Sequence, residues 1–146
     1  MKPFESILVP TDFGRPAEQA TETAIALAQK LGSKVTLLHV HSIATYYGYE
    51  EGLYWPMEEL ERMAQKALDG AVRKVELRYA RVEGVLDSGD PGERILAVAR
   101  ERGVDLIVMG THGRRGLKHF VLGSVAEKVV RQSPVPVLTV AAREEA

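Results

Sequence analysis

The chain has 146 residues, 45% hydrophobic and 27% charged, with a formal net charge of −1. This is ordinary globular composition, with length for one domain over residues 1–146 and one core. The weak charge gives no general attraction to nucleic acid or an anionic membrane, and the absence of cysteine excludes disulfides, thiol catalysis and thiolate metal sites.

In chain order, Ser6-Ile7-Leu8-Val9 is a short continuous apolar run, read as a strand buried on both faces. Pro16 suits the first turn of a helix. Behind it Ala17, Ala20, Ala24, Leu27, Ala28 and Leu31 share one face, and Gly32 stops the helix. Val35 to Val40 is a second apolar strand. Ser42 to Pro56 is the longest irregular stretch and holds Tyr46, Tyr47, Tyr49, Tyr54 and Trp55. It reads either as a surface flap or as a ligand contact.

Leu60, Met63, Ala64, Ala67, Leu68, Ala71, Val72 and Val75 keep the i, i+3, i+4 spacing of an amphipathic helix. Arg81 to Leu86 alternates and reads as a weaker strand. Pro91 opens a third helix that runs to about Arg102 and ends at Gly103. Leu106 to Met109 is another buried strand. A fourth helix spans Ser124 to about Gln132, stopped before Pro134, and Val135 to Val140 is the last strand. This alternation predicts an α/β fold, one doubly wound five-stranded parallel sheet with helices on both faces. The first residues lack a signal-peptide core, and no run approaches the ~18 apolar residues of a membrane helix. A cytoplasmic location with neither nucleic-acid nor membrane partners is expected.

In such sheets ligands sit beyond the carboxyl ends of the strands, where the winding reverses. Of the loops in those positions, Gly110 to Ser124 is the most informative. Its glycines permit positive φ and close backbone approach. It feeds a helix start whose unpaired N–H groups favour an anion. Arg114, Arg115 and Lys118 add positive charge, so a di- or triphosphate is the natural guest. The competing reading is structural: Ser124 and Glu127 form a capping box, the glycines make a turn, and the basic side chains are a solvated rim. Neither the dinucleotide fingerprint nor a Walker P-loop is present.

Gly110, Gly113, Gly123 and Ser124 fill every position of G-x2-G-x9-G-[ST]. In this the chain resembles the ATP-binding branch of the universal stress protein family. Ile7-Leu8-Val9-Pro10-Thr11-Asp12, Gly89-Asp90-Pro91, and Ser133-Pro134-Val135-Pro136-Val137-Leu138 extend the resemblance over nearly the whole chain. It implies strand order 3-2-1-4-5 and a nucleotide-dependent regulatory or stress-response module. Pro10, Thr11 and Asp12 would then line the nucleoside side, with Asp12 near the ribose. Val40 would offer backbone groups to adenine. Met109, Gly110, Gly113, Gly123, Ser124 and Val125 would hold ribose and phosphates. Asp12 has a structural alternative, as a cap on the first helix.

The alternative to a regulatory module is a slow ATP-hydrolysing or phosphoryl-transferring enzyme, which needs a base near the γ-phosphate. Only Asp12, or His112 or His119 turned inward, would serve. No catalytic residue is assigned, and the reading leans away from an enzyme. His39 and His41, or His112 and His119, do not follow a zinc spacing. No metal site is expected, although Mg2+ carried in with ATP need leave no trace. The resemblance also implies a homodimer through the C-terminal strand. The protein partner is left open.

Overall fold

The computed structural model describes residues 3–42, 57–112 and 122–141. Five strands, β1 (Ser6–Pro10), β2 (Lys34–His41), β3 (Val82–Ser88), β4 (Leu106–Gly110) and β5 (Val137–Val140), alternate with four helices. The helices are α1 (Arg15–Leu31), α2 (Met57–Glu76), α3 (Pro91–Glu101) and α4 (Ser124–Gln132). The strands are all parallel and lie in the order β3-β2-β1-β4-β5. This is the expected doubly wound sheet, and its winding reverses between β1 and β4.

Alternation along each strand divides the core into two layers. Ile7, Val9, Val35, Leu37, Leu106 and Val108 pack with Ala20, Ala24, Ile25 and Ala28 of α1 and with Leu68 and Val75 of α2. Leu8, Leu38, Ile107 and Met109 face the other way, against Ile95, Leu96 and Ala99 of α3 and Ala126 and Val129 of α4. Each fully buried leucine or isoleucine contributes about 1.5–3 kcal/mol over its exposed state. The continuous apolar runs thus follow from burial on both sheet faces.

Local chemistry sets the helix ends. Gly32 takes a left-handed φ of 73° and returns its N–H to the Ala28 carbonyl, closing α1. Asp90 caps α3, accepting the Glu93 N–H at 3.0 Å, with Pro91 in the first turn.

Some sequence expectations are corrected. In α2, Met63 is 59% exposed and Ala67 also faces outward, because this helix packs mainly on the edge strand β3. In α1, Ile25 is buried while Leu31 is exposed. The last strand begins at Val137 rather than Val135. Ser133 Oγ donates to the Val135 carbonyl at 2.7 Å and accepts the Val135 N–H at 3.1 Å. Those groups are therefore spent in a local turn, and Pro134 and Pro136 have no N–H to give.

One residue shapes the upper edge of the sheet. The β1–β4 ladder stops at Leu8↔Ile107, whereas β1 stays paired with β2 as far as Pro10↔Leu38. The Thr11 N–H points to β2, reaching the Leu38 carbonyl at 2.8 Å. Strand N–H groups alternate sides, so the next rung to β4 needs a donor at residue 10. Proline has none. The two halves of the sheet therefore part at the switch point.

Candidate functional site

A cavity of about 580 Å3 opens where the ladder ends. Pro10, Thr11 and Asp12 form its β1 side, and Val40 comes from the end of β2. Met109 and Gly110 come from the end of β4, and Gly123, Ser124 and Val125 from the start of α4. The fold thus gathers nine of the ten predicted site residues around one space. The tenth, Gly113, lies outside the described residues. So do Arg114, Arg115, Gly116, Lys118, His119 and the aromatic stretch from residue 43 to 56.

Each wall has its own local cause. Gly110 is required by close packing: a β-carbon there would lie 2.8 Å from Pro16 Cβ and 3.0 Å from its carbonyl carbon. The first turn of α1 can therefore sit directly over the end of β4. The positive φ expected of the loop glycines is found at neither Gly110 nor Gly123. Gly123, with φ −59° and ψ 157°, is the N-cap of α4.

The capping-box expectation is not realised. Because Gly123 is the cap, Ser124 falls inside the helix, exposed, and no side chain caps α4. Glu127 N–H reaches the Gly123 carbonyl at 2.8 Å. The N–H groups of the preceding turn have no intrahelical acceptor, and they carry the positive end of the helix dipole.

The alternative for Asp12 is corrected as well. The N-cap of α1 is Gly14, without a side-chain cap bond. Asp12 Oδ1 instead accepts the Gly14 N–H at 2.9 Å in a turn of its own, and Thr11 Oγ1 accepts the Phe13 N–H at 3.0 Å.

Among the described lining residues Asp12 is the only carboxylate, and none is Lys or Arg. Leu38, Val40, Ile95, Met109 and Val125 make the remaining surface largely apolar. Such a space suits a flat apolar group, with a hydroxyl acceptor on one side and an anion-favouring helix start on the other. No group of three or more His, Asp or Glu able to hold a metal occurs among the described residues.

Sequence reasoning did not select His39, Thr111 or Pro91, all of which line the cavity. Thr111 donates its N–H to the Val140 carbonyl at 3.1 Å and accepts the Gly123 N–H at 2.7 Å, joining β5 to the start of α4. A signal for it was its place directly after Gly110 in the glycine motif. His39 shares its strand face with Leu37, so the alternation of β2 aims it at the α1 side.

These features define an open α/β domain with a ligand-sized cavity at its topological switch point. The chain belongs to the universal stress protein family, whose model matches residues 3–141. Universal stress protein MJ0577 of Methanocaldococcus jannaschii is 33% identical, with 94% of each chain covered. The solved structure of MJ0577 superposes with a TM-score of 0.80 at 32% identity, covering 98% of this chain and 99% of that one. Universal stress protein YxiE of Bacillus subtilis is 32% identical over 94% of this chain and 99% of its own. A universal stress protein from Archaeoglobus fulgidus, solved in complex with dAMP, shares the fold with a TM-score of 0.65 at 24% identity, covering 95% of this chain and 98% of that one.

Proposed function

We propose that the cavity binds ATP and that the chain is a nucleotide-dependent regulatory module of the stress response. The observation that carries this reading is the convergence of the nine predicted residues on one 580 Å3 cavity at the β1–β4 switch point. The adenine ring lies among the apolar side chains and meets backbone groups of Val40. Asp12 takes the ribose. Met109, Gly110, Gly113, Gly123, Ser124 and Val125 serve ribose and phosphates, the last three through the start of α4. The dAMP complex within the family gives a precedent for an adenine nucleotide on this fold.

Mg2+, if it accompanies ATP, is held by the phosphates, since the described lining offers a single carboxylate. ATP acts here as a ligand rather than as a substrate. Asp12, the one carboxylate among the described lining residues, is tied through Oδ1 to the Gly14 N–H and is assigned to the ribose, and His112, which also lines the cavity, has its Nδ1 3.0 Å from Thr111 Oγ1, so neither is assigned as a base for water. Two chains pair through β5, in the cytoplasm. No helix among the described residues is long and apolar enough to cross a membrane.

Mass spectrometry of nucleotide released from the purified protein tests the reading. Recovery of ATP supports a bound regulatory ligand. Recovery of ADP alone favours hydrolysis instead. A protein that carries no nucleotide, and takes none up from a mixed pool, overturns the assignment.

A further inference from the structure

The loop that carries Asp12 is fastened to β2 by the Thr11 N–H bond to the Leu38 carbonyl and by the side chain of His39. Nδ1 of His39 lies 2.8 Å from the Thr11 carbonyl oxygen. A carbonyl only accepts, so the proton sits on Nδ1 and the imidazole donates. The Phe13 ring packs on the same imidazole, with centroids 4.4 Å apart and planes tilted by 39°. His39 is only 8% exposed, so its ring is braced by the surrounding core.

This grip has a conformational cost. Phe13 holds a φ of 65°, the left-handed region that a bulky side chain rarely adopts. Such a conformation persists where neighbouring contacts over-determine it. Here they are the His39 stack, the Thr11 Oγ1 bond to the Phe13 N–H and the Asp12 Oδ1 bond to the Gly14 N–H. Residues 11 and 13 are both pinned to His39, and Asp12 stands between them. The Thr11 carbonyl belongs to the Thr11–Asp12 peptide, so the imidazole sets the plane from which the Asp12 side chain departs. Among the described residues, Oδ1 is committed to Gly14 while Oδ2 takes no hydrogen bond.

We propose that His39 is a positioning residue for sugar recognition. It holds the Thr11-Asp12-Phe13-Gly14 turn so that Asp12 Oδ2 is presented, before any ligand arrives, to the vicinal hydroxyls of a ribose. This rests on the reading that Asp12 meets the ribose. Rigid placement of an acceptor lowers the ordering cost of binding, so the lock contributes to discrimination between ribose and hydroxyl-free sugars.

The test is the ratio of affinities for ATP and 2′,3′-dideoxy-ATP, measured calorimetrically. The ratio cancels general damage to the cavity, which falls on both nucleotides alike. The wild type is expected to prefer ATP by about tenfold, the scale of one charged hydrogen bond. Asp12→Ala and His39→Leu should both bring the ratio near one. His39→Asn, which keeps a donor close to the Nδ1 position, should retain most of the preference. If His39→Leu does not fold, Phe13→Gly serves in its place, since glycine accepts the positive φ while removing the ring from His39; the ratio should fall there too. Collapse in Asp12→Ala with full preference in the His39 and Phe13 variants overturns the positioning role alone. No preference in the wild type, or an unchanged ratio in Asp12→Ala, overturns the ribose reading and the role of His39 with it.

Discussion

Gly123 donates its N–H to the carbonyl of Thr111 over 2.7 Å, and Thr111 in turn donates its own N–H to Val140 over 3.1 Å. These two bonds tie the start of α4 to the ends of β4 and β5, so the uncapped helix turn is held at the rim of the cavity. Gly123 keeps φ −59° and ψ 157°, backbone that any residue adopts. Gly123→Val should therefore fold, losing about 1 kcal/mol at the cap. Its β-branched side chain stands where a phosphate would approach the backbone, so ATP affinity should fall by about tenfold or more. Circular dichroism and titration of this variant check the two halves of the prediction.

Gly110 makes a different prediction. An added methyl group meets Pro16 at 2.8 Å, with backbone of the same residue at 3.0 Å. Backbone cannot swing aside as a flexible side chain does, so the first turn of α1 must shift. Gly110→Ala should lose about 1–3 kcal/mol in urea unfolding, the usual cost of overpacking. Displacing α1 also moves the turn that carries Asp12, and nucleotide affinity should fall together with stability.

The acid limb of stability follows from surface ion pairs away from the cavity. Arg78 forks onto Glu22 at 2.6 and 2.7 Å. That hydrogen bonding, helped by the pair's charge and opposed by burial, holds Glu22 below its ordinary value of 4.5. At Glu83 burial pushes upward, but the combined pull of Lys34, Arg102 and Thr36 leaves it lowered as well. A depressed carboxylate contributes stability above its unfolded value and loses it as pH falls through the folded value. Stability should hold down to about pH 5 and decline below about pH 4.5. Glu22→Gln should cost about 0.2–1 kcal/mol at neutral pH, because both partners are exposed, and should flatten the decline. Urea unfolding of both proteins across that range measures the difference.

Much of this architecture was legible in the sequence, for identifiable reasons. A strand buried on both faces must be apolar throughout, so Leu106 to Met109 announced itself. Gly32 and Gly103 stop helices because their left-handed φ values of 73° and 61° suit glycine. That Gly110, Gly123 and Ser124 would line one cavity was legible because the G-x2-G-x9-G-[ST] spacing is intact. What was not legible depends on contacts between distant segments. No local pattern tells that Pro16 lies over Gly110, that His39 reaches back to Thr11, or that α2 covers an edge strand and leaves Met63 in solvent. The competing capping-box reading at Ser124 and Glu127 fails by one residue, because Gly123 takes the N-cap position of α4.

The edge of β5 separates two neighbouring substitutions. The carbonyls of Pro136 and Val140 point to β4, accepting from Ile107 at 3.0 Å and Thr111 at 3.1 Å. Alternation then directs the Leu138 N–H to β4 and the Thr139 N–H outward, to the open edge. If two chains pair antiparallel through this edge, Thr139→Pro removes a donor from the interface and leaves the sheet intact, whereas Leu138→Pro breaks a rung to β4. Light scattering should give the wild type a mass near twice 16.1 kDa and Thr139→Pro a mass near that of one chain. A wild-type mass near 16.1 kDa at working concentration contradicts pairing.

Calorimetric titration of nucleotide-stripped, folded protein with ATP bears on the cavity itself. Saturable binding close to one ATP per chain is expected, and GTP should fail to compete if, as proposed, the backbone of Val40, a cavity-lining residue, reads an adenine edge. Such binding should be weakened by about tenfold or more in Gly123→Val. Absence of saturable binding by the folded wild type up to millimolar ATP, or equal binding by wild type and Gly123→Val, contradicts a nucleotide site at the β1–β4 switch point.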